Sequence, residues 1–224
     1  MLKIKFLDLS KQQKTIEKNL RINLEKVLED SKFIMGPEVK KLESSLENYT
    51  NTNYCITCSS GTDALILSLL ALDIGIGDIV FCPSFTFPAT AEAILMVGAT
   101  PVFVDVGKNT YNICCKSLLN AIEKCKKKNL NIKAIMPVDL YGLPVNYDKI
   151  NEIAKSFNLN VIADGAQSFG GVFRKKRVGN LTEITTTSFF PAKPLGCYGD
   201  GGAVFTNSLS IKEKLESLRS HGKG

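Results

Sequence analysis

The sequence predicts a three-layer α/β/α fold in which helices cover both faces of a mostly parallel sheet. Short apolar runs suited to buried strands alternate with helix-length stretches between residues 54 and 163. Strands buried on both faces read as continuous apolar runs, and parallel strands need helical crossovers to connect them. The chain has 224 residues and is 44% hydrophobic, so it is long enough for one large domain with a sizeable core.

The elements of this fold are predicted from hydrophobic spacing and turn residues. Two helices come first, over residues 10–29 and 39–49, separated by the turn Met35-Gly36-Pro37. The alternating region has strands at 54–58, 79–82, 101–104, 133–138 and 160–163, with helices at 61–72, 89–97, 116–126 and 148–157. A polar hairpin at 171–178, a strand at 184–190 and a helix at 211–218 follow.

Charge argues against a nucleic-acid-binding protein. The net charge is +6, and the densest basic cluster is Lys124-Cys125-Lys126-Lys127-Lys128 at the end of a predicted helix. Cations are favourable at a helix C-terminus, and the cluster has no interleaved aromatic residues that would stack on bases. We therefore expect no nucleic-acid partner.

The cysteines argue against a zinc or redox site. There are seven, an odd number, and the single Cys-x-x-Cys pair, Cys55 and Cys58, lies in a predicted buried strand. Free thiols of this kind indicate a reducing compartment. The sequence shows neither a signal peptide nor an apolar run near 20 residues, so we expect a cytoplasmic protein without a membrane partner.

One lysine stands at a tightly specified bend of the chain. The predicted strand over residues 184–190 is followed by Lys193 between Pro191 and Pro194, then by four glycines before residues 203–205 turn apolar again. Proline restricts the backbone, and glycine permits conformations and close approaches that other residues cannot make. Such a bend can aim Lys193 at a ligand, although a solvated loop lysine has the same spacing.

The turn after the first strand suits a phosphate. Ser60, Gly61 and Thr62 join a predicted strand to a predicted helix, and a helix N-terminus offers free N–H groups and a positive dipole end. Ordinary capping of the helix by Ser60 explains the same residues. The segment is neither a Walker loop nor a G-x-G-x-x-G, so it does not specify a nucleotide.

Two further strand ends carry candidate ligand groups. Phe85 and Phe87, flanked by prolines, follow the second strand, and either ring suits stacking on a flat ligand, although filling the core is the commoner role of Phe. Asp164 ends the buried strand at 160–163. A buried carboxylate needs a partner, and a cationic ring nitrogen would serve, as would capping of the next turn.

These strand ends meet at one edge of a parallel sheet, where ligands bind in open α/β folds. With Ser188 they offer a phosphate cradle, an aromatic face, a carboxylate and a positioned lysine. Pyridoxal 5′-phosphate (PLP) needs this set: a Schiff-base lysine, a carboxylate on the pyridinium nitrogen and a phosphate site.

Several motifs resemble those of the DegT-type PLP-dependent nucleotide-sugar aminotransferases, across essentially the whole chain. The residues concerned are Phe6-Leu7-Asp8-Leu9, Ile34-Met35-Gly36-Pro37-Glu38-Val39, Ser60-Gly61-Thr62-Asp63-Ala64-Leu65, Pro83-Ser84-Phe85-Thr86-Phe87, Asp164-Gly165-Ala166-Gln167 and Ser188-Phe189-Phe190-Pro191-Ala192-Lys193-Pro194-Leu195-Gly196. The stretch from Ser188 to Ala203 looks most like the enzymes that aminate UDP-N-acetyl-3-keto-hexosaminuronates. The resemblance implies the aspartate-aminotransferase fold (fold type I).

The resemblance also implies roles for the two ionisable site residues. Lys193 would form the Schiff base with PLP and, once displaced by the amino donor, would shuttle a proton between the substrate carbon and the cofactor. Asp164 would pair with the pyridinium nitrogen. Some relatives are dehydratases with a histidine in place of the lysine, and Lys193 argues against that branch.

The remaining implied roles concern binding of the cofactor. Gln167 would lie near its phenolic oxygen, and Phe87 would stack on its ring. The backbone of Gly61 and Thr62, together with the Ser188 hydroxyl, would hold its phosphate.

The implied reaction moves an amino group from L-glutamate to a keto group of a nucleotide-linked sugar, for polysaccharide or aminosugar biosynthesis. The same chemistry on a dTDP- or UDP-4-keto-6-deoxy sugar is an alternative, and a truncated, non-catalytic remnant is another. The family continues beyond the equivalent of Gly224 into a smaller domain, so we expect a truncated chain. Residues 1–35 would pack on that missing domain, residues 36–224 would form the PLP-binding domain, and the full-length form would be a homodimer with shared active sites.

Overall fold

The computed structural model describes residue 4 and residues 6–223. The first residues of the predicted N-terminal segment and the last residue of the predicted major domain lie outside the described residues.

A seven-stranded sheet forms the centre of the molecule. Its strands are β1 (Tyr54–Cys58), β2 (Asp78–Pro83), β3 (Thr100–Val104), β4 (Asn131–Ile135), β5 (Asn160–Asp164), β8 (Ile184–Ser188) and β9 (Gly202–Thr206), and a separate hairpin is formed by β6 (Val172–Phe173) and β7 (Lys176–Arg177). The strand order in the sheet is β1-β9-β8-β5-β4-β2-β3. All of these strands run parallel except β9, which is antiparallel to both neighbours.

Helices cover both faces of the sheet, which confirms the three-layer α/β/α prediction. They are α1 (Leu9–Asp30), α2 (Pro37–Thr50), α3 (Gly61–Ala71), α4 (Ala89–Met96), α5 (Cys115–Lys127), α6 (Tyr147–Phe157) and α7 (Leu209–Arg219), with one 3₁₀ turn at Leu140–Gly142. One core cluster packs α3, α4 and α7 against the sheet, and a second packs α5 and α6. No described helix is long and apolar enough to cross a membrane.

The first helix differs from the others because none of its residues is buried. Its apolar side chains are exposed, with Ile16 at 44%, Leu24 at 56% and Leu28 at 59%. Its N-terminal turns lie beside the loop that carries Lys193, where Leu9 and Ile16 line a shallow pocket with Tyr198. An exposed apolar stripe on a helix is a surface that a further contact would bury.

Two strand predictions need correction, and one strand was not predicted. The fourth strand ends at Ile135, not at 138, because Pro137 has no N–H for the ladder, and Val138 returns only as an isolated bridge to Asp164. The strand predicted over 184–190 ends at Ser188, because the chain turns there and Phe189 packs into a separate cluster. Strand β9 was not predicted, since the glycines before it indicate only a loop.

Helix α2 covers the outer edge of β1. The Glu47 carboxylate accepts a hydrogen bond from the Cys55 N–H at 3.0 Å, and the Glu43 carboxylate accepts one from the Thr57 N–H at 2.9 Å. Glu43 and Glu47 are four residues apart and so lie on one face of α2. Cys55 and Thr57 are two residues apart on β1 and so present their N–H groups to the same side of the strand. Arg219 at the end of α7 pairs with Glu43 at 2.5 Å and ties the three elements together.

The Cys-x-x-Cys pair lies on this same strand. Cys55 is buried and Cys58 is half-buried, and all cysteines of the described chain have free thiols. Burial raises the pKa of the Cys58 thiol to about 12. The protonated thiol is therefore its form at neutral pH, which is the opposite of a reactive redox cysteine.

Candidate active site

A cavity of about 380 Å³ opens at the carboxyl ends of the parallel strands. Asp164 ends β5, Ser188 ends β8, and α3 begins just after β1. The loop after β2 contributes further walls. The lining residues are Ser60, Gly61, Thr62, Leu65, Thr86, Phe87, Ala89, Val138, Asp164, Ala166, Gln167, Ser188, Phe190, Ala192, Lys193 and Asp200.

A short turn brings Lys193 back over the cavity after β8. The Lys193 N–H donates to the Phe190 carbonyl at 2.8 Å, and the Cys197 N–H donates to the Phe189 carbonyl at 2.7 Å. The two bonds close the loop on itself, and Pro191 and Pro194 restrict its backbone further. The lysine side chain is half-buried and lines the cavity. The loop therefore places Lys193 at the wall of the cavity.

Asp164 is a buried carboxylate with two donors. The Thr90 hydroxyl on α4 donates to one oxygen at 2.9 Å, and the Ala166 N–H donates to the other at 3.2 Å. Burial raises the pKa of Asp164, while these two donors and the positive charge of Lys193 oppose the rise. A buried carboxyl in this position gains from a cation placed in the cavity, because the cation would favour the ionised form.

Helix α3 begins unusually close to strands β8 and β9. A Cβ on Gly61 would lie 2.6 Å from the Ser188 Cβ, so only glycine allows this approach. The Ser60 hydroxyl caps the Asp63 N–H at 3.0 Å. Within the described residues, the N–H groups of Gly61 and Thr62 have no protein acceptor, and both residues line the cavity. The helix N-terminus therefore offers two free donors to an anion.

Gly202 on β9 is the second residue that permits this approach. A Cβ there would lie 2.3 Å from the Ser60 carbonyl oxygen and 2.8 Å from the Gly61 nitrogen, and backbone atoms cannot move aside cheaply. We expect Gly202→Ala to lower the free energy of unfolding by about 3 kcal/mol. Urea denaturation followed by circular dichroism measures this loss.

Gly75→Ala is the matched control, because its Cβ would meet only the Val97 carbonyl oxygen at 3.4 Å. Its stability should stay within about 0.5 kcal/mol of the parent. Equal stability of the Gly202 and Gly75 variants would show that α3 is not fixed at this distance from β9.

Phe87 and Gln167 face the cavity from opposite loops. Phe87 is 65% exposed, so its ring is not used to fill the core. The Gln167 Oε1 accepts the Tyr141 N–H at 2.6 Å. This bond fixes the Gln167 side chain and leaves its Nε2 amide as the donor available to a ligand.

All seven residues selected from the sequence line this one cavity: Gly61, Thr62, Phe87, Asp164, Gln167, Ser188 and Lys193. Their individual roles remain predictions. Two residues next to the site were not selected, Thr90 and Asp139. Thr90 is fully buried beneath the cavity, and its bond to Asp164 joins positions 74 residues apart, which no sequence spacing indicates.

Asp139 lies behind Asp164 and is fully buried. Its carboxylate accepts hydrogen bonds from the Val145 N–H at 2.9 Å, the Tyr147 hydroxyl at 2.9 Å and the Ser168 hydroxyl at 2.7 Å. Burial nevertheless raises the pKa of Asp139 from 3.8 to about 6, and the nearby charge of Asp164 adds to the rise. The Asp139 N–H also donates to the Asp164 carbonyl, so the two residues share one framework.

This raised pKa predicts a pH dependence of stability. The folded form favours the protonated carboxyl, so its contribution is complete below pH 3.8 and is lost as the pH rises through about 6. We expect the parent to lose on the order of 3 kcal/mol across this window relative to Asp139→Asn, which cannot ionise. The asparagine Oδ1 can still accept from the Val145 N–H and the Tyr147 hydroxyl, and its Nδ2 would donate to the Ser168 hydroxyl instead of accepting from it. Urea denaturation of both proteins from pH 4 to pH 7 measures the difference, and parallel curves would contradict the assignment to Asp139.

A sequence model of the DegT/DnrJ/EryC1/StrS aminotransferase family matches residues 14–224. The chain belongs to this family. The chain is 44% identical over 220 residues to the UDP-2-acetamido-2-deoxy-3-oxo-D-glucuronate aminotransferase of Pseudomonas aeruginosa. That match covers 98% of the chain and 60% of the relative, so the chain spans less than two thirds of the relative's length.

Solved structures of the family confirm the fold. A DegT DnrJ EryC1 StrS aminotransferase from Brucella abortus matches with a TM-score of 0.97 and 46% identity, over 99% of this chain and 60% of that protein. NtdA of Bacillus subtilis, crystallised with the bound cofactor PMP, matches with a TM-score of 0.88 and 33% identity, over 97% and 48% of the two chains. The chain therefore has the PLP-dependent aminotransferase (fold type I) architecture that the resemblance of its motifs predicted.

Proposed function

We propose that this chain is the cofactor-binding part of a PLP-dependent aminotransferase that moves an amino group from L-glutamate to a keto group of a nucleotide-linked sugar. One observation carries the proposal: the amine of Lys193 and the buried carboxylate of Asp164 line the same cavity as the free N-terminus of α3. A nucleophilic amine, a partner for a cationic ring nitrogen and an anion site are the three requirements of PLP.

The residues present fit this cofactor. The two free N–H groups of Gly61 and Thr62, beside the Ser188 hydroxyl, suit a phosphate group, and the close approach that Gly61 permits leaves no side chain in that position. Burial raises the pKa of Asp164, and a protonated ring nitrogen beside the carboxyl would oppose that rise. The exposed ring of Phe87 offers a face for stacking.

When bound, PLP supplies an electron sink for the negative charge that develops on the amino-bearing carbon. Lys193 Nζ would hold the cofactor covalently and, when free, would move a proton between the substrate carbon and the cofactor. Asp164 would keep the ring nitrogen protonated, with Thr90 and the Ala166 N–H fixing its carboxylate. Gln167 would donate from Nε2 to the phenolic oxygen.

The substrate class is proposed from the relative in Pseudomonas aeruginosa, whose name specifies a UDP-linked 3-oxo sugar acid. We propose a UDP-3-keto-N-acetylhexosaminuronate as the acceptor, in the biosynthesis of a polysaccharide such as an O-antigen. A dTDP- or UDP-4-keto-6-deoxy sugar, and a truncated remnant without activity, are the alternatives that the experiment below separates.

The experiment supplies the purified protein with PLP, L-glutamate and each class of keto sugar in turn. Formation of 2-oxoglutarate in amounts that match the aminated UDP-3-keto sugar supports the proposal, and the position of the new amino group identifies the acceptor. Turnover of only the 4-keto-6-deoxy sugar favours the first alternative. Cofactor binding without turnover, or no cofactor binding, favours the second.

Domain organisation and assembly are also proposed. We propose that residues 1–35 pack against a further domain, which is supported by the exposed apolar side chains of α1. Residues 36–224 form the PLP-binding domain in this proposal. We further propose a cytoplasmic homodimer with shared active sites, and sedimentation of the purified protein tests the dimer.

A further inference from the structure

Three exposed aromatic residues form a continuous surface beside the active-site cavity. The ring centroids of Phe85 and Tyr111 are 5.7 Å apart, and those of Tyr111 and Tyr141 are 6.2 Å apart. The side chains are 46%, 47% and 72% exposed, respectively. We call this set of Phe85, Tyr111 and Tyr141 the aromatic step. Rings that touch one another and still present faces to solvent are suited to stacking on a flat ligand.

Both tyrosines of the aromatic step have a backbone conformation that tyrosine rarely adopts. The φ angle is +57° at Tyr111 and +56° at Tyr141, and no other tyrosine in the described chain has a positive φ. The left-handed region costs free energy for a bulky residue, whereas asparagine tolerates it well. Strain of this kind persists where the surrounding structure enforces it, and it clusters at ligand sites.

Buried polar groups enforce this conformation. Asn112, which is 7% exposed, donates to the Leu143 carbonyl at 2.9 Å and accepts the Leu140 N–H at 3.3 Å. Asn112 therefore links the loop of Tyr111 to the loop of Tyr141.

The backbone N–H groups of the two tyrosines are also bonded. The Tyr111 N–H donates to the Gly107 carbonyl at 2.8 Å, and the Tyr141 N–H donates to Gln167. Hydrogen bonds therefore hold the backbone at both tyrosines of the aromatic step.

The aromatic step borders the cavity at two places. Phe85 directly precedes Thr86 and Phe87, which line the cavity, and Tyr141 is bonded to Gln167, which lines it as well. The cavity volume of about 380 Å³ is near the lower end for ligand pockets. Such a volume suits the cofactor ring and the reacting sugar, and it leaves the nucleoside of a nucleotide sugar outside.

We propose that the aromatic step stacks on the nucleobase of the acceptor substrate. The inference rests on the proposed function, because it takes the acceptor to be a nucleotide-linked sugar. The base is the flat, apolar-faced part of such a substrate and lies farthest from the reacting keto carbon. Stacking of a base on an aromatic side chain is a strong contribution to affinity and depends little on which base is bound.

Tyr111→Asn and Tyr141→Asn test the inference, because each removes a ring and relieves the strained backbone. Calorimetric titration of the purified protein with UDP and dTDP should show about tenfold weaker binding for each variant. Inorganic pyrophosphate should bind the variants as it binds the parent, since it carries no base. The melting temperature should be unchanged or higher, which a merely structural tyrosine would not give.

Two control variants accompany these. Tyr141→Phe keeps the ring and should keep the UDP affinity. Phe103→Thr removes a 57% exposed ring from the outer strand β3 and should leave UDP binding unchanged. Loss of affinity confined to the two asparagine variants supports the proposal.

Three results would overturn the stacking proposal. They are no UDP or dTDP binding by the parent, equal nucleotide affinity in the parent and both asparagine variants, or a change in molecular mass that shows a second copy covering the aromatic step.

The absorbance of added PLP, recorded on the same samples, reports the proposed function separately. A parent that binds PLP but no nucleotide overturns only the stacking proposal, and one that binds nucleotide through the step but no PLP overturns only the cofactor proposal.

Discussion

Lys193→Ala should abolish the fixation of PLP by borohydride and lower amino transfer at least about 10³-fold. The lysine amine is the proposed covalent anchor and also the proposed proton carrier, so one substitution removes both. The side chain is half-buried in a loop closed by its own backbone bonds, and its removal leaves the sheet intact. Absorbance with added PLP and mass spectrometry after reduction measure the fixation, and single-turnover assays measure the rate.

Lys175→Ala is the matched control. Lys175 lies in the turn between β6 and β7 and lines a different pocket, so its loss should change neither the absorbance band nor the rate. Added methylamine should restore part of the rate of the Lys193 variant, because a small amine can carry the proton. Undiminished fixation of PLP in Lys193→Ala would transfer the anchoring role to another lysine.

Asp164→Asn should retain PLP but lower amino transfer about 10³-fold. The asparagine can still accept the Ala166 N–H, and the donors of Gly61 and Thr62 are unaffected, so the cofactor content should remain close to that of the parent. The ring nitrogen would lose its charged partner, which removes the stabilisation of the protonated ring. Cofactor content per chain, measured beside the rate, separates the electrostatic effect from a loss of binding.

Thr90→Val provides a graded comparison. It removes the hydroxyl that donates to Asp164 at 2.9 Å but leaves the carboxylate in place. A smaller loss of about tenfold is expected, since one hydrogen bond to a charged group is weaker than the whole ion pair. Equal rates in the parent and in Asp164→Asn would rule out a role of the carboxylate in holding the proton of the ring.

The sequence alone predicted the site residues that combine a suitable functional group with a position after a predicted strand. Lys193 and Asp164 each follow an apolar strand, and parallel strands bring their carboxyl ends together, so a shared cavity could be inferred. Thr90 and Asp139 could not be inferred in this way. A threonine in a helix and an aspartate after a strand have many ordinary roles, and their bonds to the site become apparent only when distant segments pack.

Backbone geometry was the second feature that could not be predicted from the sequence. Glycine or asparagine in the sequence suggests a left-handed residue, whereas Tyr111 and Tyr141 gave no such indication. Strand β9 was missed for the opposite reason. Gly202, its first residue, indicates a loop in the sequence, although this glycine allows the close approach to α3. Local propensity is overridden at these positions by contacts from other parts of the chain.

The covered edge of β1 has a consequence for the behaviour of the protein at high concentration. An outer strand with free N–H groups is a template on which strands of other molecules can add, which leads to aggregation. Glu43 and Glu47 already occupy two of these donors on β1. The opposite outer strand, β3, contains Pro101, which has no N–H to offer. Addition of a further strand is therefore hindered at both edges of the sheet, by glutamates at β1 and by a proline at β3. Growth into fibres is disfavoured as long as α2 remains docked.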